Sequence, residues 1–270
     1  MKIMRTRGTT LIELIVVIAI TGIIAAAVAL FIRRPVEGYA DAARRAALTD
    51  EADTALRRIT RDLRLALPNS VRVDGSGKFI EFIETTGGGR YRAEVDSGGG
   101  GNTLDFSAAD TTFDVLGPMP TLAAGSGIVV YNLYSTGTTS NAYVGDNRAN
   151  FISVAAPTIT IASTLFPEPS PGKRFHVVSG AVTYGCTGGQ LVRYSGYGYN
   201  AAQVAPPVGG TTAVLAGSVD VAQCQFVYTA GALTESIATV SIILQINSTA
   251  ASGAVEKVRM FQQAQVSNLP

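Results

Sequence analysis

A chain of 270 residues has room for one large domain or two small ones. Its net charge of +1 owes much to Lys2, Arg5 and Arg7; without them 18 basic side chains face 20 acidic ones, a balance of −2 that speaks against a nucleic-acid binder. Charged residues make up only 15% of the chain while Gly, Ala, Thr and Ser are abundant, which suits a β-rich exported domain with many turns.

The first predicted element is an apolar helix. From Leu14 to Ile32 nearly every residue is apolar, Thr21 and Gly22 being the exceptions, and about 20 helical residues cross the hydrocarbon core of a bilayer. The basic flank at Lys2, Arg5 and Arg7 holds that end on the cytoplasmic side, although Arg33 and Arg34 beyond the run weaken the asymmetry. Glu13 stands alone near the start of the span. An ionised carboxylate there is expensive and marks a functional position by default. Cleavage after Gly8 would free an α-amine on Thr9, four residues from Glu13, and so supply a positive partner. Two plainer readings compete. A secretory signal peptide has an apolar core of roughly 7–15 residues; the alanines at 25–27 imitate its cleavage site, but this core is longer and Glu13 sits badly in it. An uncleaved anchor fits the length and leaves Glu13 without a role.

The helix is expected to continue past the membrane. Leu48, Ala52, Leu56, Ile59, Leu63 and Leu67 recur at spacings of three or four and form one apolar face. Arg57, Arg58, Arg61 and Arg64 project from the other sides, with Asp50, Glu51 and Asp53 about one turn ahead of them. Pro35 is expected to kink or interrupt the helix near the membrane exit, and Pro68 to end it at Leu67. A helix from Thr9 to Leu67 would be roughly 90 Å long.

After Pro68 the period changes to two. Strands are predicted at Phe79–Glu84, Tyr91–Val95, Thr103–Phe106, Ile128–Leu133, Thr158–Ala162, Phe175–Val178, Ala181–Cys186, Gln190–Tyr194, Gln223–Tyr228, Thr239–Asn247 and Glu256–Val266. Thr187-Gly188-Gly189 predicts a hairpin turn, Ser248–Gly253 a loop, and the glycine clusters at 87–89 and 98–101 further loops. The stretch from Leu116 to Pro171, rich in Thr, Ser, Asn, Gly and Pro, reads either as an insertion decorating the sheet or as a second β lobe. The fold class expected is α+β: a long N-terminal helix, membrane-spanning in its first half and amphipathic in its second, packed on an antiparallel sheet with a β-rich insertion. The corresponding units are 1–8, 9–34, 35–67 and 68–270.

Catalytic chemistry is not evident. His176 lies between Phe175 and Val177 and reads as a strand residue; no metal-ligand cluster, nucleophile elbow or phosphate loop is seen. Asp96, Asp105 and Asp110 lie near glycine-rich turns, yet their spacing matches no calcium loop. Tyr184, Tyr194, Tyr197 and Tyr199 read as core or cross-strand packing ahead of a surface patch. No cofactor is expected and the chain does not read as an enzyme. Cys186 and Cys224, an even pair, are compatible with one disulfide closing a loop of about 38 residues if the domain is exported; two buried free thiols are the alternative.

The run Gly8-Thr9-Thr10-Leu11-Ile12-Glu13, behind its short basic leader, resembles the N-terminus of type IV pilins and type II secretion pseudopilins. The resemblance implies that a prepilin peptidase cuts between Gly8 and Thr9 and N-methylates Thr9, where phenylalanine is usual in the family. It also implies that Glu13 pairs with the N-terminal amine of a neighbouring subunit during assembly. Pro35–Val73, the segments SPGKRFHVVSGAVTYGC and RYSGYGY, and the terminal RMFQQAQVSNLP are similar to J-type minor subunits of the mannose-sensitive haemagglutinin (MSHA) pilus. The partners implied are the prepilin peptidase, other pilins or pseudopilins, an inner-membrane assembly platform and the membrane itself. A J-type pseudopilin of a secretion system and an uncleaved, membrane-tethered periplasmic binding module are the alternatives.

Overall fold

The computed structural model describes residues 8–230, 237–249, 253 and 255–270. Helix α1 (Leu11–Leu63) leads into β1 (Arg72–Val73), β2 (Phe79–Tyr91), β3 (Asp110–Leu116), β4 (Gly127–Val130), β5 (Arg148–Ala155), β6 (Thr158–Thr164), β7 (Arg174–Thr187), β8 (Gln190–Ser195), β9 (Thr211–Ala216), β10 (Gln225–Thr229), β11 (Ile237–Thr249) and β12 (Val255–Ser267). A short 3-10 turn, Val221–Gln223, precedes β10. This is the α+β architecture, a long helix on antiparallel sheets, that the two hydrophobic periods predict.

At 53 residues α1 is about 80 Å long. It runs unbroken through Pro35, contrary to the interruption expected there. It also stops four residues short of the predicted end. Leu67 N–H donates to Ile83 O and Thr85 N–H to Leu65 O, both at 2.8 Å, so residues 65–67 satisfy their backbone groups on β2 before Pro68 is reached. The apolar face is the predicted one. Leu48, Ala52, Leu56, Ile59 and Leu63 are buried against a core shared with Ile80, Tyr184, Phe226, Val240, Ile242, Leu244 and Val266, and Arg57, Arg58, Arg61 and Arg64 stay in solvent. Leu67 is buried as well, in a separate cluster with Ile83, Val129 and Val178.

Much of this core is supplied by a three-stranded sheet, β10-β11-β12. In β11 Val240, Ile242, Leu244 and Ile246 alternate inward, and β12 pairs along its whole length, from Ile237↔Ser267 to Thr249↔Val255. The predicted loop at Ser248–Gly253 therefore gives up Ser248 and Thr249 to the strand, while its positions 250–252 lie outside the described residues. The predicted hairpin turn at Thr187–Gly189 is present. Thr187 pairs with Gln190, and Gly188 and Gly189 take φ of 56° and 75°, the left-handed backbone that a two-residue turn of this hand requires.

The larger sheet contains nine strands in the order β1-β2-β3-β6-β5-β4-β7-β8-β9, with β2 also paired to β7. That extra pairing closes β2, β3, β6, β5, β4 and β7 into a ring, a small antiparallel barrel. Its interior is filled by Tyr91, Phe113, Val115, Ile128, Ile159, Ile161, Phe166, Phe175 and Val177, a second core separate from the one behind the helix. The 116–171 stretch is thus neither a surface decoration nor an independent lobe, because the barrel borrows β2 and β7 from the main sheet.

Several strand predictions are corrected. The glycines at 87–89 are not a loop: they lie inside β2, opposite Val177, His176 and Phe175. A Cβ on Gly88 would stand 2.7 Å from Phe175 O and one on Gly89 2.9 Å from the Phe175 ring, so close packing, and not turn formation, accounts for these two residues. The stretches Arg92–Val95 and Thr103–Phe106 are irregular; single backbone bonds join them to each other, Leu104 N–H to Arg92 O, and to β3, Arg92 N–H to Asp114 O. The strand predicted to Leu133 ends at Val130, because Tyr131 takes a positive φ of 50°. Strands β1, β3, β5 and β9 lie outside the predicted runs. The expected loop at 98–101 is present.

Cys186, at the end of β7, and Cys224, just before β10, are joined by a disulfide inside the helix-backed core. It ties the two sheets together across 38 residues of chain. Replacing both cysteines by alanine is expected to lower unfolding free energy by about 3–4 kcal/mol in the chain-entropy account, as read from denaturant unfolding of wild type and variant.

Candidate assembly site

Gly8 and Thr9 precede the helix, exposed and outside regular structure, and Lys2, Arg5 and Arg7 lie outside the described residues. Thr10 is the N-cap, with extended φ and ψ of −77° and 151°, and its side chain accepts the Glu13 N–H at 3.4 Å. Glu13 therefore occupies the third helical position, where a carboxylate complements the positive end of the helix dipole. Thr10-Leu11-Ile12-Glu13 has the spacing of a capping box. That signal stands in the sequence itself, beside the apolar span that draws the eye to Glu13.

Beyond the cap, the helix offers an unbroken apolar surface. Leu11–Ala29 is long and apolar enough to cross a membrane, and none of it is buried by the rest of the chain. Leu11, Ile12 and Phe31 are 79%, 71% and 81% exposed. Such a surface needs either lipid or other helices to cover it. Thr21 does not interrupt it, since its hydroxyl donates to Val17 O at 2.7 Å within the helix. Along the described side chains, burial against the domain begins at Leu48.

The far half of α1 is pinned to the domain by polar contacts at several heights. Arg45 Nε meets Glu256 of β12 at 2.6 Å, and Glu51 accepts the Gly217 N–H at 2.6 Å. In the last turn, buried Asp62 accepts the Tyr184 hydroxyl and lies 3.4 Å from Arg193 Nε. Burial and the neighbouring Asp62 hold the Tyr184 hydroxyl well above its usual range, so it stays protonated and donates. The helix thus projects from the domain as a fixed stalk.

The other residues singled out from sequence have structural places. Tyr184 and Tyr194 are buried, Tyr197 and Tyr199 half-buried. Burial raises the Tyr197 hydroxyl, which bonds Glu81 and Thr183. Asp96 and Asp105 accept N–H groups of their own turns, and Asp110 that of Asp105. His176 lies on β7; burial and the adjacent Arg174 lower its pKa to about 4. Among the described residues, no group of three or more His, Cys, Asp or Glu side chains is placed to hold a metal ion. A buried ion pair between Arg72 and Glu81, at 2.7 Å, was not anticipated.

The arrangement at the N-terminus is a capped, fully exposed apolar helix with one carboxylate in its first turn, behind a glycine in open chain. No curated protein and no solved structure matches the chain. Residues 3–29 match the family model described as the prokaryotic N-terminal methylation motif, and the chain accordingly carries a type IV pilin-like prepilin signal at its N-terminus.

Proposed function

We propose that the protein is a minor pilin-like structural and assembly subunit of an MSHA-type type IV pilus, closest in kind to the MSHA pilus biogenesis protein MshO. It is stored as a single-pass inner-membrane protein with residues 68–270 in the periplasm. A prepilin peptidase removes residues 1–8 and methylates Thr9. The helix segment 9–34 then leaves the lipid for a bundle of neighbouring pilin helices, with 35–67 linking it to the head. The observation that carries this reading is the methylation motif lying on a helix whose apolar surface is wholly uncovered. Glu13, in the first turn, is the partner for the new amine of an adjacent subunit. A head enlarged by a closed barrel is bulky for a densely repeated shaft, which favours a place at or near the filament tip.

Mass spectrometry of protein recovered from its native membrane tests the first step. The expected N-terminal residue is Thr9, shifted by one methyl group, and Gly8→Val is expected to leave the leader attached. A fully functional protein that still begins at Met1 would sink the proposal.

A further inference from the structure

On the outer face of the barrel, β2 and β7 leave a cleft of about 430 Å³ lined by Gly88, Arg90, Leu116, Pro118, Arg174 and His176, among others. Arg90 and Arg174 stand directly opposite one another across the two strands. The Tyr91 N–H donates to Lys173 O at 2.9 Å, so by alternation Arg90–Arg174 and Gly88–His176 are non-hydrogen-bonded pairs, in which facing side chains come closest. Like charges in that position repel. Among the described residues neither arginine has a carboxylate within ion-pair distance, and neither guanidinium makes a hydrogen bond, although Arg72, Arg92 and Arg193 all have acidic partners.

The backbone beside them is also unfinished. Strand β3 joins β2 only at Arg90 and Tyr91, so the edge of β2 at Gly87–Gly89 has no strand on that side. The same alternation turns the Gly88 N–H toward this open edge. Glycine leaves the approach to that N–H clear. The His176 ring lines the cleft, and its Nε2 has no hydrogen-bond partner.

We infer that this cleft binds a phosphate-class oxyanion between the Arg90 and Arg174 guanidiniums, with the Gly88 N–H as a backbone donor. Two fixed positive charges match a dianion, whereas a single carboxylate would balance only one. Guanidinium forks match the geometry of phosphate oxygens. The exposed Leu116 side chain and Pro118 leave an apolar lip, which suits the organic part of a phosphomonoester as well as the free ion.

The test uses the full chain in detergent and reads the ring resonances of His176, the one histidine of the sequence. Inorganic phosphate and glucose 1-phosphate are titrated separately. Saturable movement of the His176 signal is expected with both, and tighter binding of one arm identifies the free ion or an ester as the source. Arg174→Gln and Arg90→Gln are each expected to weaken binding by about tenfold or more. Arg57→Gln, on the exposed helix surface, is expected to leave it unchanged. The inference is overturned if neither ligand gives saturable binding, or if the folded Arg90→Gln and Arg174→Gln variants bind as wild type does. Both outcomes are independent of leader cleavage.

Discussion

Glu13→Ala is expected to leave cleavage after Gly8 intact and to reduce recovery in sheared filaments by about a hundredfold. The magnitude follows from the environment. Removing one member of a buried ion pair strands the other charge and costs about 3–5 kcal/mol. The capped geometry supplies a rival role with a much smaller effect. A carboxylate at the third helical position stabilises the helix end by about 0.3–1 kcal/mol. Glu13→Gln separates the two, because glutamine serves a capping box and carries no charge. The expected result is that Glu13→Gln fails in assembly like the alanine variant. Full incorporation of Glu13→Gln would show that the residue acts through the cap, and normal incorporation of Glu13→Ala would remove it from assembly altogether. Immunoblots of sheared filament and membrane fractions, with mass spectrometry of the N-terminus, provide the measurements.

Arg72→Met is expected to produce the largest loss of stability in the head, about 3–5 kcal/mol. Arg72 and Glu81 face each other on β1 and β2, at 7% and 0% side-chain exposure. The arginine also donates to Ala201 O at 2.8 Å and Asn200 O at 2.7 Å, and its guanidinium lies 3.6 Å from the centre of the Tyr143 ring. Tyr197 donates to the remaining Glu81 oxygen at 2.7 Å. One ion pair therefore gathers the loop after β8 and the segment between β4 and β5 onto the first hairpin. Methionine leaves the Glu81 charge buried with one neutral donor. At roughly 2–4 °C per kcal/mol for a domain of this size, the melting temperature falls by about 6–20 °C. The double variant Arg72→Met, Glu81→Leu is expected to recover part of that loss, since it buries no lone charge. Thermal unfolding followed by circular dichroism decides the matter; a single variant that melts with wild type would show the pair to be dispensable.

Elements whose partners are near in sequence, or whose burial is one-sided, could be read directly. The face Leu48–Leu63, the alternation of Val240 to Ile246 and the glycine turn at 188–189 each state their conformation locally. The barrel could not be read that way. Strand β3, Asp110–Leu116, mixes two acids and two threonines with its buried residues, and β5 buries only Ala149 outright, so neither shows a clean period of two. Ring closure depends on β7 meeting β2 and β4 at once, a non-local fact that no short window contains. Gly88 and Gly89 misled for a related reason: what demands glycine there is Phe175, 87 and 86 positions away. At the N-terminus, Glu13 declared itself by its cost in an apolar run. The Arg90–Arg174 pair became visible only through strand register.

Strands β2 and β7 each run from the barrel into the helix-backed core as one continuous strand, with a bulge in β2 at Glu84–Gly87, so the barrel and the rest of the head share two lengths of backbone. A pull on the barrel loads two peptide backbones along their length. That tension must shear many ladder bonds together before the chain yields. Through Cys186 it also passes covalently to the second sheet, which grips the stalk. A load applied to the barrel would thus reach the N-terminal helix through backbone and disulfide together.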